Sequence, residues 1–375
     1  MTSYEFILHR AMFFSYLAKL LVEVRFANKL TASCMFKIAF QRTLGSSESI
    51  FDRPAQRTTP RKPRVKASML DVVTLIRSLA IVFIVISHLT TFDYGGGGAL
   101  ILMLLAGFTY AKYILPKIEY PTESNKRHFL LLVKIAIPTV SFLFLQQLAS
   151  QKSFNWPVVA LYSNFVDPEM NGAWFIEIYL QINLFLLLAV QNERVRIFIG
   201  SLKTFGRASM ALVVSVFIAL ISDRLWSAES LYNRVPTELF WFFSAGILMS
   251  ACSRFIERAI FVSIVGIALY LTNATLQPFL LVSVLAVAFV PKISFPNIGV
   301  KVLTALSGAS LMIYLTHFYF AKVLTKLWVT SPSWVNVTFA LICGVIFQHA
   351  YGMAWNKWRQ RRMPIAVRAS PPAAE

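Results

Sequence analysis

The sequence predicts an all-α polytopic membrane protein, with ten transmembrane helices and both termini in the cytoplasm. Three observations carry that expectation. Of the 375 residues, 57% are hydrophobic and only 14% are charged, whereas a soluble domain carries about 25% charged residues. Apolar runs of spanning length recur along the chain, and the basic residues fall mostly in alternate connecting segments.

The runs occupy residues 70–91, 97–116, 129–149, 173–190, 207–223, 237–253, 258–272, 274–290, 302–322 and 333–353. Each lies near the roughly 17 to 25 residues that a bilayer core requires, the seventh being short. Residues 258–290 are almost uninterrupted except for "TNAT". Basic residues flank both ends, Arg254 and Arg258 before and Lys292 after, which favours a hairpin around Asn273 over one tilted span. With the N-terminus inside, the cytoplasmic segments hold 29 lysines and arginines and the outer segments hold 5. That asymmetry follows the positive-inside rule. It also accounts for the net charge of +19 without nucleic acid as a partner.

Residues 1–44 mix aromatics with scattered cations ("FFSYLAKLLVEVRFANKL"), as expected of an amphipathic arm on the inner membrane surface. Lys19 and Glu23 interrupt its apolar stretch and no small-residue cleavage site follows, so it does not read as a signal peptide. Residues 45–68 form a basic, proline-bearing linker with the composition of disorder. The membrane domain spans 69–355 and a basic cytoplasmic tail covers 356–375. Met69 opens the first span, and a start at that residue is the alternative reading of the N-terminus. Cys34, Cys252 and Cys343 show neither a disulfide framework nor metal-ligand spacing, and no metal is expected.

The first span, "LDVVTLIRSLAIVFIVISH", carries Arg77 and His88 eleven residues apart. On a helix that spacing is three turns plus roughly 20°, so both lie on one face about 16 Å apart along the axis. An intramembrane arginine costs roughly 2.5–3.5 kcal/mol on insertion scales and normally faces protein or a wet cavity. Snorkelling of Arg77 to the inner surface, with His88 marking the outer interface, is the plainer alternative.

These residues also resemble the acyltransferase 3 family of integral membrane acyltransferases, whose first span carries an arginine, ten residues and a histidine. "GGGGALILMLLAGF" (95–108) is similar to the family's glycine-led second segment, with Ala106 in place of its usual serine and without its frequent acidic residue. "AWFIEIYLQ" (173–181) resembles its Trp-Glu helix, and "SGASLMIYLTHFYF" (307–320) its late Ser–Tyr–His helix. The resemblance covers about 69–355 and implies acyl transfer, with acyl-CoA (acetyl-CoA) as a donor substrate rather than a permanently bound cofactor. The implied acceptor is a hydroxyl on a carbohydrate or envelope lipid, at the cell (inner or plasma) membrane. In that chemistry a histidine serves as base near neutral pH and arginine holds phosphate. His88 is then the expected catalytic base and Arg77 the donor-binding cation.

Other residues have paired readings. Asp93 either orients His88 or is a solvated loop aspartate. Asp71 reads as a helix cap. Lys134, mid-membrane, either helps Arg77 hold phosphate or snorkels inward. Glu177 and Gln181 share a helical face, where Glu177 forms a structural hydrogen bond, pairs with Arg77 or lines the acceptor passage. Trp174 packs or stacks on a sugar. Ser310, Tyr314 and His317 form either a wall of the cavity or an interhelical hydrogen-bond network. The glycines 95–98 lack the trailing Lys-Ser/Thr of a phosphate loop and instead suit a tight turn. A transporter or flippase using Arg77, Glu177 and His317 is the rival from another class. The absence of internal repeats and of evident broken helices weighs modestly against it.

Overall fold

A computed structural model describes residues 67–92, 97–149, 153–166, 173–225, 234–272, 277–328 and 332–362. All belong to one compact unit, Val65–Glu375. The N-terminal arm, nearly all of the linker, Asp93 and the last thirteen residues lie outside the described residues.

Each apolar run becomes a helix. These are α1 (Val72–Leu89), α2 (Gly98–Tyr113), α3 (Pro121–Ala149), α5 (Trp174–Ala189), α7 (Phe205–Leu225), α8 (Pro236–Ala251), α9 (Phe255–Leu271), α10 (Pro278–Phe289), α11 (Asn297–Leu327) and α12 (Ser333–Arg362). Two shorter helices, α4 (Trp156–Val159) and α6 (Glu193–Gly200), lie between them. By length and composition, six helices among the described residues can cross a membrane (α1, α2, α3, α7, α11 and α12), or seven if α5 joins the segment after it across a 117° bend. The protein is therefore an all-α membrane protein. The shorter α10 has 12 residues, about 18 Å of helix, less than the roughly 30 Å hydrocarbon core. Residues 258–290 do form two helices, as their basic flanks suggest.

One small β element departs from pure helix. Strands β1 (Ala67–Asp71) and β2 (Lys292–Pro296) pair antiparallel, Ala67 facing Pro296 and Asp71 facing Lys292. The ribbon ties the start of α1 to the start of α11, helped by a hydrogen bond from Ser68 Oγ to Asn297 Oδ1. Its partners are too far apart in sequence for local pattern to reveal. β1 begins at Ala67 and α12 runs to Arg362. Asp71 caps α1, its carboxylate accepting from the Val73 N–H at 2.8 Å.

Glycine allows the closest helix crossing. A Cβ on Gly107 of α2 would sit 1.9 Å from the Phe243 carbonyl oxygen, and one on Gly246 of α8 would sit 1.9 Å from that of Leu104. Gly97, at φ 85°, makes the turn into α2. Toward the other end of α2, Lys203 bonds Glu119 at 2.7 Å and Asn125 bonds Gln191 at 3.0 Å, joining two segments expected on the inner side. The ammonium of Lys203 lowers the Glu119 carboxyl below its ordinary value.

Candidate active site

α1 packs between α2 and α11, and its two titratable residues find partners on different neighbours. Arg77 Nη2 donates to Thr109 Oγ1 on α2 at 2.9 Å, and Thr109 in turn donates to the Leu105 carbonyl at 2.7 Å. His88 meets His317 on α11, with Nδ1 and Nε2 2.9 Å apart. Lying on one face thus does not mean sharing one partner, because the long arginine side chain reaches sideways.

The histidine pair has a defined proton arrangement. His317 Nδ1 lies 2.7 Å from the Tyr314 carbonyl and 3.2 Å from that of Ile313. Carbonyl oxygens only accept, so in the neutral ring Nδ1 carries the hydrogen and Nε2 accepts. His88 Nδ1–H then donates to His317 Nε2, leaving the His88 Nε2 lone pair unused among the described residues. His317 is fully buried (0% exposed) while His88 is exposed. Phe318 stacks on His88 with centroids 4.9 Å apart, and Tyr314 packs on Phe175 of α5 at 5.5 Å. Phe318 and Tyr314 also line a pocket of about 70 Å³ with Gln146, Gln147 and Tyr319. Ser310 lies one turn before Tyr314, half-buried.

Glu177 plays a different part from pairing with Arg77. Fully buried (0% exposed), it accepts from Ser163 Oγ at 2.8 Å and from the Asn164 N–H at 3.2 Å. Gln181 completes the clasp, exchanging hydrogen bonds with the Asn164 side chain at 3.1 and 2.9 Å and donating to the Leu161 carbonyl at 2.8 Å. Leu161 holds φ 61°, a left-handed strain that this clasp stabilises. Residues 153–166 are thereby fastened to α5. The Arg234 guanidinium lies over Trp174, 5.3 Å from the ring centroid, and is within electrostatic range of His88.

At the other end of α1 lies a cavity of about 640 Å³. α3 contributes Lys126, Arg127, Leu130, Leu131 and Lys134, and α12 contributes Trp355 and Trp358. α2 adds Thr109, Tyr110 and Tyr113, and α5 adds Tyr179. Arg77 is not in the lining, but Thr109 is, and Tyr113 and Tyr179 lie within electrostatic range of Arg77. Behind the wall, buried His128 donates Nε2–H to Asn183 Oδ1 at 3.3 Å and packs edge-on against Tyr110 at 5.3 Å. Asn183 Nδ2, spent on the Tyr179 carbonyl at 2.8 Å, fixes that orientation.

No family model, curated protein or solved structure matches the chain.

The structure brings His88 together with His317, Tyr314 and Phe175, and brings Lys134 to the cavity beside Arg77's partner. Glu177 and Gln181 are directed to the 153–166 segment. Asp93 lies outside the described residues. Thr109, Tyr179, Trp355 and Trp358 escaped the sequence reading. The basic, aromatic run "WNKWRQRR" at the end of α12 was the one available signal, and it resembles an ordinary interfacial tail.

Proposed function

We propose that the protein is an acyltransferase of the acyltransferase 3 type, spanning the cell membrane ten times with both termini inside. It moves an acyl group, acetyl in the simplest case, from acyl-CoA to a hydroxyl of a carbohydrate or envelope-lipid acceptor. The histidine pair carries this reading: His317 fixes the tautomer of His88 and leaves its Nε2 available as a base. Support also comes from the Arg77-to-His88 interval of about 16 Å, comparable to a pantetheine arm. The cationic cavity at the Arg77 end and the four ordered sequence landmarks agree with it.

In the reaction, His88 Nε2 removes the acceptor's hydroxyl proton as the oxygen attacks the thioester carbonyl. The C–S bond breaks as the ester forms. The leaving thiolate takes the proton back from His88, releasing free CoA and restoring the neutral pair. The His88 Nδ1–H···His317 bond holds the ring through both transfers and disperses the imidazolium charge.

The test uses purified protein in lipid nanodiscs with labelled acetyl-CoA, reading ester-linked label on envelope glycans and lipids by mass spectrometry. Loss of a positioned general base costs typically 10²–10⁴-fold, the fall expected for His88→Ala. Arg77→Ala should chiefly raise the KM for acetyl-CoA. Unchanged acylation by inserted His88→Ala protein sinks the mechanism, and no acetyl-CoA consumption by the wild type favours transport.

A further inference from the structure

The cavity at the Arg77 end is too specific in its lining to be a generic gap between helices. From α3 it receives residues 126, 127, 130, 131 and 134, one continuous helical face at i, i+1, i+4, i+5 and i+8 spacing. Arg127 and Lys134 are seven residues apart, two turns less roughly 20°, so they stand in line about 10 Å apart along the axis. Lys126 doubles the charge at one end. No carboxylate lines the cavity; Glu123, which bonds Arg127 at 2.5 Å, lies outside it. An anion fits this lining and a cation does not.

The opposite wall is aromatic. Trp355 and Trp358, one turn apart on α12, have ring centroids 5.0 Å apart at 34°. Tyr351, a turn earlier, anchors them by donating to the Lys134 carbonyl at 2.9 Å. Tryptophan and lysine also populate ordinary membrane interfaces, so these residues alone would not indicate a ligand. Tyr110 supplies the independent observation. It lines the cavity, is 3% exposed, and its hydroxyl has no hydrogen-bond partner among the described residues. A buried hydroxyl left unmatched in a water-poor setting costs free energy unless a ligand or water meets it.

We propose that this cavity seats an adenine nucleotide carrying phosphates, with the purine on the Trp355–Trp358 platform and the phosphates along Lys126, Arg127 and Lys134. The Tyr110 hydroxyl donates to the same ligand. The volume of about 640 Å³ lies within the range of small-molecule sites. The nucleotide is the head of the acyl-CoA donor, an assignment that rests on the acyltransferase reading. An anionic lipid headgroup shares the phosphate chemistry but offers no base to stack.

Binding is tested with adenosine 3′,5′-bisphosphate, which bears no acyl group, on the full chain in zwitterionic nanodiscs by equilibrium titration. Trp355→Leu/Trp358→Leu and Lys126→Gln/Arg127→Gln should each weaken binding at least tenfold. Trp355→Phe/Trp358→Phe, which keeps ring faces, should retain most of the affinity. The lysine–arginine pair of changes should also flatten the salt dependence. Wild-type affinity in both weakening variants overturns the site, even if acetyl-CoA is turned over. So does failure of the wild type to bind the nucleotide while phosphatidylglycerol in the disc is retained and protects the cavity. Variant-sensitive nucleotide binding without acyl transfer would leave the site standing and reject the transferase reading.

Discussion

At the Arg77 end of α1 a cavity of about 640 Å³ is lined by three cations, three tyrosines and two tryptophans. At the His88 end the neighbouring pocket is only about 70 Å³. There most polar groups satisfy one another: His88 with His317, His317 with the Tyr314 carbonyl, Glu177 with Ser163 and Asn164. The Tyr314 hydroxyl, alone of these residues' polar atoms, is buried without a partner among the described residues. The roomy end leaves the buried Tyr110 hydroxyl facing a large cationic cavity, the arrangement the proposed donor site calls for. The tight end spends its hydrogen bonds on fixing one ring in one tautomer, which is what the proposed proton transfer requires. α1 joins them, so in the proposed reaction the distance between donor site and base is set by one continuous helix.

The most drastic way to break the comparison is to disturb the frame common to both ends. Gly107→Leu places side-chain atoms where the α8 backbone passes, and no rotamer change relieves a clash with a carbonyl oxygen. Overpacking of this kind costs about 1–3 kcal/mol and sometimes more. Thermal unfolding in detergent should show a clearly lowered midpoint, with both ends failing together. Retention of wild-type stability would mean that the α2–α8 crossing is looser than drawn.

That crossing and the tyrosine wall show how far a sequence can be read. The ten apolar runs became ten helices because composition alone selects them. The Arg77–His88 interval is legible because helical rise is fixed. The α2–α8 contact, the β1–β2 ribbon and the clasp of Glu177 on Ser163 and Asn164 are not, since each depends on which elements pack together. Glu177 illustrates the point. A buried carboxylate demands partners, and the sequence names the need without saying whether Arg77 or a returning loop supplies them. The crossing count is less legible still, because α10, at 12 residues, falls short of a bilayer by length.

His317 sharpens the comparison at one end only. His317→Ala removes the acceptor for His88 Nδ1–H and frees the ring to take the other tautomer. Under the proposed acyl transfer, kcat should fall about a hundredfold, with the KM for acetyl-CoA little changed. His317→Gln, whose amide oxygen can still accept, should recover part of kcat. A purely structural role predicts loss of inserted protein instead, and equal kcat for the alanine and glutamine variants would reject the positioning role.

The smallest effect is expected at the rim of the binding end. Glu119 and Lys203 form an exposed ion pair at 2.7 Å, and the neighbouring ammonium lowers the Glu119 carboxyl. A carboxylate lowered in the folded state contributes stability above its unfolded pKa and loses it as pH falls through the folded value. Exposure and salt screening keep that contribution slight. Glu119→Gln should therefore lower the melting midpoint marginally at pH 7 and low ionic strength. The difference from wild type should shrink in molar salt and fade as pH drops through the folded carboxyl's lowered value. A deficit unchanged by molar salt and by acid would show that the Glu119 side chain supports the loop between α2 and α3 by packing rather than by charge.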